Sequence, residues 1–354
     1  MDSVSIGGAL FLGVKLGEIV PKTSVSLKSL AGKSIAIDAY NALYQFLAII
    51  RLSNGTPLKD RNGRVTSHLS GLLYRNSNLM EIGAKVAYVF DGVPPVLKDA
   101  EIKRRSKGKQ RARVMYRKAL EEGKVEEART YAQATSRIES YMETDSKHLL
   151  TLMGIPWVQA PSEGEAQAAY MTKKGITDFC ASQDYDSLLY GAPTLLRNVA
   201  ISGRRKLPKR PVYVDVAPEI VELQTVTSKL GISYEQLIDI GLLVGTDYNP
   251  GVKGIGPKTA LKLIKEHGTI DDMPKAVVAG TQQSLDLKRI KNMFLHPKVT
   301  DNYNLNWNKP EEDSLVRFLC GEHDFAEDRV RKALDKMRRM GDKKANTTLD
   351  TFIR

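Results

Sequence analysis

The sequence predicts an α/β fold: a central, mostly parallel twisted sheet flanked by helices, with a helical insertion and a glycine hairpin between helices. Three observations predict it. Short apolar strands end in acids, helical patterns alternate with those strands, and a charged helix-forming stretch interrupts the alternation. The first strand, Ser34-Ile35-Ala36-Ile37-Asp38, is apolar and closes on a carboxylate. Lys85-Val86-Ala87-Tyr88-Val89-Phe90-Asp91 repeats the pattern, and the segment from Asp178 to Asp184 resembles it. Helical patterns over 67–82 and 136–153 lie between them. Strands that alternate with helices imply βαβ units and a parallel sheet. Ligands of such sheets bind beyond the carboxyl ends of the strands, where these acids stand.

The other elements follow in order. Residues 92–135 are charged, rich in helix formers and poor in apolar periodicity, which predicts a helical insertion projecting from the sheet. Residues 230–270 read as a helical DNA-binding element and 310–340 as closing helices. Residues 338–345 are polar and read as flexible, and the final NTTLDTFIR regains apolar character.

Composition bounds the function. The 354 residues are enough for a substantial core. No run of 18 or more apolar residues exists, so no membrane span is expected, and the N-terminus lacks the basic region of a signal peptide. Cys180 and Cys320 are far apart without metal-ligand spacing and read as buried thiols of a reducing compartment. A formal charge of +12, from 53 basic and 41 acidic residues, suggests a polyanionic partner. Between Lys98 and Lys118 stand ten Lys or Arg and two acids. A basic surface around an acidic centre is the layout of a metal-dependent nuclease.

Seven carboxylates form the candidate metal site: Asp38, Asp91, Glu163, Glu165, Asp184, Asp186 and Asp247. Hard divalent cations take oxygen ligands. Two of them can stabilise both the attacking and the leaving oxygen of a phosphodiester and lower the pKa of water. Without cations, so many neighbouring carboxylates would repel one another into protonation. Simpler readings exist for some. Ser162-Glu163-Gly164-Glu165 matches a capping box with Ser162 as N-cap and Glu165 at N3. Asp184-Tyr185-Asp186 and Asp247 suit capped turns. Asp38 and Asp91 resist such readings because each follows a hydrophobic strand, and the joint occurrence favours metal.

Lys98, Lys103, Arg104 and Arg105 follow Asp91 closely, and bases near metals can hold a scissile phosphate. A solvated charged helix face is the simpler account of the same run. Tyr44, two turns into the helix after Asp38, can stack on an unpaired base or sit in the core. The segment from Gly251 to Leu261, GVKGIGPKTAL, is the most specific local feature. Its glycines let backbone approach phosphate, and Pro257 opens a helix whose N-terminal amides suit an anion.

Together these residues resemble the flap endonuclease family of structure-specific 5′ nucleases, from about Leu12 to Arg354. The blocks IAIDAYNALYQFL, TSHLSGLLYR, YVFDGVPPVLK, APSEGEAQAAY, SQDYDSLLYG and GTDYNPGVKGIGPKTA carry the resemblance, and the compact chain looks archaeal. The resemblance implies that the seven acids bind two Mg²⁺ ions, with Mn²⁺ as a substitute. It implies that Lys98 and Arg105 grip the scissile phosphate and that Tyr44 stacks near the cut nucleotide. Residues 92–135 would be the arch passed by a free 5′ end. Gly254, Gly256 and Lys258 would hold downstream duplex, with K⁺ beside them, and Arg51 is expected to join them at the DNA. A nuclease region of 12–337 would divide into an N-terminal part (12–110) and an internal part (about 140–270). A tail of 338–354 would bind a sliding clamp.

The expected activity is hydrolysis at the junction of single-stranded flap and duplex, with 5′–3′ exonuclease activity, in Okazaki fragment maturation and base excision repair. Branched DNA (5′ flap, double flap, nicked duplex) is the expected substrate, and the archaeal cytoplasm the expected location, or the nucleus if the source is eukaryotic.

Two departures from the family pattern stand out. Family members begin Met-Gly with that glycine near the active site; here Leu12-Gly13-Val14 takes that place after 11 residues, which are expected to be absent from the native protein. In the clamp motif Asn346 replaces Gln and Ile353 replaces the second aromatic, while Leu349 and Phe352 fit. An excision-repair nuclease would need a long spacer, whereas about 70 residues separate Asp91 from Glu163. The rival from another class is a non-catalytic DNA-junction or clamp-binding protein with a relic metal site.

Overall fold

The computed structural model describes residues 13–52, 54–201, 203–206, 213–274 and 284–350. Its strands are β1 (Thr23–Ser24), β2 (Ser34–Asp38), β3 (Lys85–Phe90), β4 (Trp157–Gln159), β5 (Phe179–Ala181), β6 (Thr194–Arg197), β7 (Gly203–Lys206), β8 (Tyr213–Val216) and β9 (Glu219–Glu222). Seven of them form one sheet in the order β1-β9-β6-β5-β2-β3-β4, and β7 and β8 form a separate antiparallel pair. The pairs β2–β3, β3–β4, β2–β5 and β5–β6 are parallel; β9 and β1 close the edge antiparallel. The mostly parallel sheet expected from the sequence is thus present. After β2 the chain adds strands on one side and then crosses to the other, so β2 lies at the switch point, where α/β sheets open a crevice for ligands.

Helices α1 (Ala39–Ile49), α2 (Ser67–Glu81) and α5 (Ser140–Leu152) share a core with one face of the sheet. Pleating sets the division: Ile35, Ile37, Val86, Tyr88 and Phe90 point to that face, while Ala36, Val89 and Val158 point to the other. On the second face pack α6 (Gly164–Lys173), α7 (Asp186–Leu189), α8 (Leu223–Leu230), α9 (Tyr234–Val244), α10 (Pro257–His267) and α11 (Ser284–Leu295). Strands covered on both faces read as nearly continuous apolar runs, which is how β2 and β3 read.

Between β3 and α5 the chain forms α3 (Asp99–Glu121) and α4 (Val125–Ala134), the expected helical insertion. Charged residues dominate α3 because little of it is buried. The chain closes with α12 (Glu312–Val316), a π-helical turn (Arg317–Glu322) and α13 (Glu327–Asp350). The tail expected to be flexible from 338 onward has a helical backbone as far as Asp350. No proline interrupts it, and Arg338 and Arg339 pair with Glu312 and Glu81 at its base. Cys180 is buried and Cys320 half-buried, both as free thiols. Among the described residues no helix is long and apolar enough to cross a membrane.

The contact between α1 and α2 is close because Gly71 leaves room for the buried Phe46 ring; a Cβ on Gly71 would overlap that ring. Overpacking of this kind costs about 1–3 kcal/mol. Gly71→Ala should therefore lower the unfolding free energy by that amount and with it the urea midpoint, whereas Gly108→Ala, where an added Cβ meets nothing within 4 Å, should not. Equal midpoints for the two variants would refute this account of the helix contact.

Candidate functional site

Each candidate acid reaches the site by a different route. Asp38 is the last residue of β2 and the N-cap of α1, its Oδ1 accepting from the Asn41 amide at 3.0 Å. Asp91 follows β3, and its Oδ1 accepts from the Gly164 amide at 2.6 Å. That bond replaces the capping box read from the sequence. Glu163, not Ser162, is the N-cap of α6, and it makes no side-chain cap bond. The orphan amide of α6 finds Asp91 instead, which places a carboxylate at the positive end of a helix. Glu165 is thereby free to accept from the amide and hydroxyl of Ser187, at 3.0 and 2.5 Å. Asp184 and Asp186 follow β5; Asp184 Oδ2 accepts from Asn41 Nδ2 at 2.7 Å, and Asp186 Oδ1 accepts from the Val14 amide at 2.9 Å. Asp247 arrives from the turn after α9.

Burial and mutual repulsion mark these groups as one cluster. Burial, then the charges of Asp38 and Glu163, push Asp91 up to about 7. Burial raises Asp38 to about 6, with Glu163 adding to it. Burial and Asp247 raise Asp186 to about 7. Asp184 is held well above the carboxylate range by burial, then by Asp186, Asp247 and Asp38. Glu165 is raised likewise by burial, then by Asp186, Asp184 and Asp38. The repulsions group Asp38, Asp91 and Glu163 on one side and Glu165, Asp184, Asp186 and Asp247 on the other, with Asp38 felt by both.

Two cations from the insertion enter this cluster. Lys98 Nζ donates to Glu163 Oε2 at 2.5 Å and lies 3.4 Å from Asp247. Burial opposes its charge, yet Glu163 and Asp247 hold it above the usual amine range. Arg105 pairs with Asp247 and with Glu101. Tyr44 stands beside them, with the Lys109 ammonium 4.6 Å from its ring centre. Gly13 is wedged against the acids at φ +138°, where an added Cβ would lie 2.7 Å from Asp184 Cβ. Residues 1–12, including the expected extension, lie outside the described residues.

The donor set is all oxygen, which suits a hard divalent cation. Among the described residues no three of these side chains stand closely enough to hold an ion by themselves. Mg²⁺ usually keeps several waters beside one or two carboxylates, so a looser set fits it.

The glycine hairpin forms between α9 and α10. Gly254 adopts φ +86°, Gly256 caps α10, and Pro257 opens that helix. An added Cβ on Gly254 or Gly256 would meet nothing within 4 Å, so their surfaces face open space. Lys258 is exposed and lies 3.6 Å from Glu18. Arg51, expected at the DNA, lies just after the end of α1. Its guanidinium donates to the carbonyls of Leu47 and Gly55 and to Ser136 Oγ, bracing the end of α1 against the following turn. In the tail, Asn346 and Leu349 fall on the helical backbone of α13, while Phe352 and Ile353 lie outside the described residues.

Sequence reasoning missed Asn41, Ser187 and Gly164, which hold the acids. Asn41 could have been found as the residue three after an N-cap aspartate, where cap bonds land.

Comparison with known proteins agrees with this geometry. The XPG N-terminal domain matches residues 14–112 and the XPG I-region residues 154–247. Flap endonuclease 1 of Ignicoccus hospitalis is 53% identical over 345 residues, covering 96% of this chain and 98% of the relative. That of Pyrococcus furiosus is 51% identical over 344 residues, covering 97% and 100%. The structure of flap endonuclease-1 from Methanococcus jannaschii superposes with a TM-score of 0.73 at 43% identity, covering 94% of this chain and 100% of that one.

Raised carboxyl pKa values have a direct consequence for stability. A folded-state value above the unfolded one means that folding takes up protons between about pH 4 and pH 7. In EDTA the thermal midpoint should therefore fall as pH rises through that window. Asp186→Asn should raise the unfolding free energy at pH 8 by on the order of 1 kcal/mol, read as a thermal midpoint a few degrees higher. A midpoint in EDTA that is flat or rising from pH 5 to 8, with no gain from the substitution, would contradict the electrostatic picture.

Acids delivered by strand ends, by the start of α6 and by the turn after α9, two cations of the helical insertion beside them and a glycine hairpin beyond accord with these matches, and the chain belongs to the flap endonuclease family, in its archaeal branch.

Proposed function

We propose that this enzyme hydrolyses one phosphodiester of a 5′ strand where a single-stranded flap meets duplex, and also degrades nicked duplex from its 5′ end. The observation that carries this reading is the burial of mutually repelling carboxylates beside two arch cations. Nucleases of this family depend on divalent metal. Asp38, Asp91 and Glu163 on one side, and Glu165, Asp184, Asp186 and Asp247 on the other, would hold two Mg²⁺ ions, with Mn²⁺ as a substitute. Bound there, the ions supply Lewis acidity to the phosphate and lower the pKa of water.

The chain's own residues do the rest. Lys98 and Arg105 transfer their charge from Glu163 and Asp247 to the scissile phosphate and stabilise its developing charge. Tyr44 offers a ring to the unpaired base beside the cut. The hairpin amides around Gly254 and Gly256, with Lys258, hold downstream phosphates without reading sequence, and a K⁺ ion suits the same turn. Helices α3 and α4 admit a free 5′ end, so selection rests on DNA shape. The reading places the enzyme in Okazaki fragment maturation and base excision repair. A non-catalytic junction-binding protein is disfavoured, since all seven acids are present and buried ones among them repel one another.

On a 5′-labelled double-flap DNA, cleavage should need Mg²⁺ and disappear with EDTA or Asp184→Ala. Lys98→Ala and Arg105→Ala should each lower the single-turnover rate by about 10²–10³-fold, the range for losing one preorganised charge-stabilising donor. Junction binding without cleavage under any divalent metal would sink the reading.

The tail is proposed to dock Leu349 and Phe352 in an apolar pocket of a sliding clamp, with Asn346 and Ile353 completing the motif. Deleting residues 346–354 should abolish stimulation of cleavage by the clamp and leave clamp-free cleavage unchanged. Undiminished stimulation would reject the tail as the clamp contact.

A further inference from the structure

Beside the acid cluster, on the flank formed by α1, α5 and β4, four polar side chains link into a continuous chain. Tyr40 Oη donates to Glu143 Oε2 at 2.5 Å. Lys147 Nζ donates to Glu143 Oε1 at 2.6 Å and to Gln159 Oε1 at 2.7 Å. Gln159 Nε2 then donates to the main-chain carbonyl of Asp91 at 2.6 Å. Aromatic contacts back the chain: the Lys147 ammonium lies 4.9 Å from the Phe90 ring centre and 5.0 Å from that of Trp157. Tyr40 meets Phe90 edge-on at 6.4 Å.

The ends of this chain matter. Gln159 is the last β4 residue paired with β3, opposite Phe90. Its side-chain amide supplies one more rung than the backbone ladder has, and that rung falls on Asp91. Tyr40 is two residues beyond Asp38, in the first turn of the helix that Asp38 caps. Glu143 and Lys147 are an i, i+4 pair with the acid N-terminal, the favourable order on a helix. The chain therefore spans from the helix behind one strand-end acid to the carbonyl of another. The peptides around Asp91 are held on their remaining sides by Gly164, which donates to its Oδ1 at 2.6 Å, and by the Gly92 amide, which donates to the Ser162 carbonyl at 2.6 Å. Removing the Gln159 donor takes away one of the two bonds that hold the Asp91–Gly92 peptide and leaves it only the Gly92 amide on the Ser162 carbonyl, which widens the range of positions open to the Asp91 carboxylate.

We propose that Tyr40, Glu143, Lys147 and Gln159 are positioning residues that fix Asp91 and its separation from Asp38 for metal binding. This rests on the reading that both acids serve the metal ions. Removing a group that orients a ligand typically costs about 10–100-fold in metal affinity or activity.

The test uses the full chain with Tyr40→Phe, Gln159→Met and, as the conservative variant, Lys147→Arg. Mn²⁺ binding is followed by electron paramagnetic resonance without DNA, beside the Mg²⁺ dependence of single-turnover flap cleavage and the thermal midpoint. Tyr40→Phe and Gln159→Met should weaken Mn²⁺ binding and raise the half-saturating Mg²⁺ concentration, each on the order of 10-fold. Saturating Mg²⁺ should largely restore their rate, the thermal midpoint should hold, and Lys147→Arg should stay near wild type. Unchanged Mn²⁺ binding in both variants would overturn the proposal, as would losses that merely follow a fall in thermal midpoint. A wild-type protein that binds Mn²⁺ but cuts no flap would defeat the nuclease reading instead, and the Mn²⁺ comparison would still judge the network.

Discussion

Carboxyl groups buried at one end of a parallel sheet repel one another, and much of the surrounding structure answers that repulsion. Strand ends let several distant segments deliver acids to one spot, because parallel strands all finish on the same side. The helix that begins at Gly164 turns its first amide to Asp91, and the Val14 amide serves Asp186. Lys98 and Arg105 descend from the insertion to Glu163 and Asp247. Each contact offsets part of the cost of gathering like charges away from water.

The same arrangement explains why the insertion is basic yet tied to the sheet. A helix with so little buried apolar surface gains little from packing. Its base is held by ion pairs of low exposure, where Coulomb attraction is strong.

Much of this was legible in the residues. Asp38 and Asp91 could be read as site acids because each terminates an apolar strand, and the structure puts them at adjacent strand ends. The glycine hairpin was legible because positive φ and a helix-opening proline demand particular residues. Glu163 and Glu165 were ambiguous, since a capping box and a metal site use the same spacing. Only the arrival of Asp91 from another strand removed the ambiguity. The partners of Arg51 were not legible for a related reason: a basic residue after a helix looks free until the turn that accepts its hydrogen bonds is folded around it.

What the sequence by itself determined was local: strand and helix periods, the punctuation of glycine and proline, and a supply of acids and bases in the right segments. Tertiary structure decided which charges meet. It brought Asp38, Asp91, Asp184 and Asp247 together across some two hundred residues of chain, and it set Asn41 to hold Asp38 and Asp184 and Ser187 to hold Glu165. The physical reason is that periodicity and capping act over a few residues, whereas burial and Coulomb repulsion act through space and exist only once the sheet has formed.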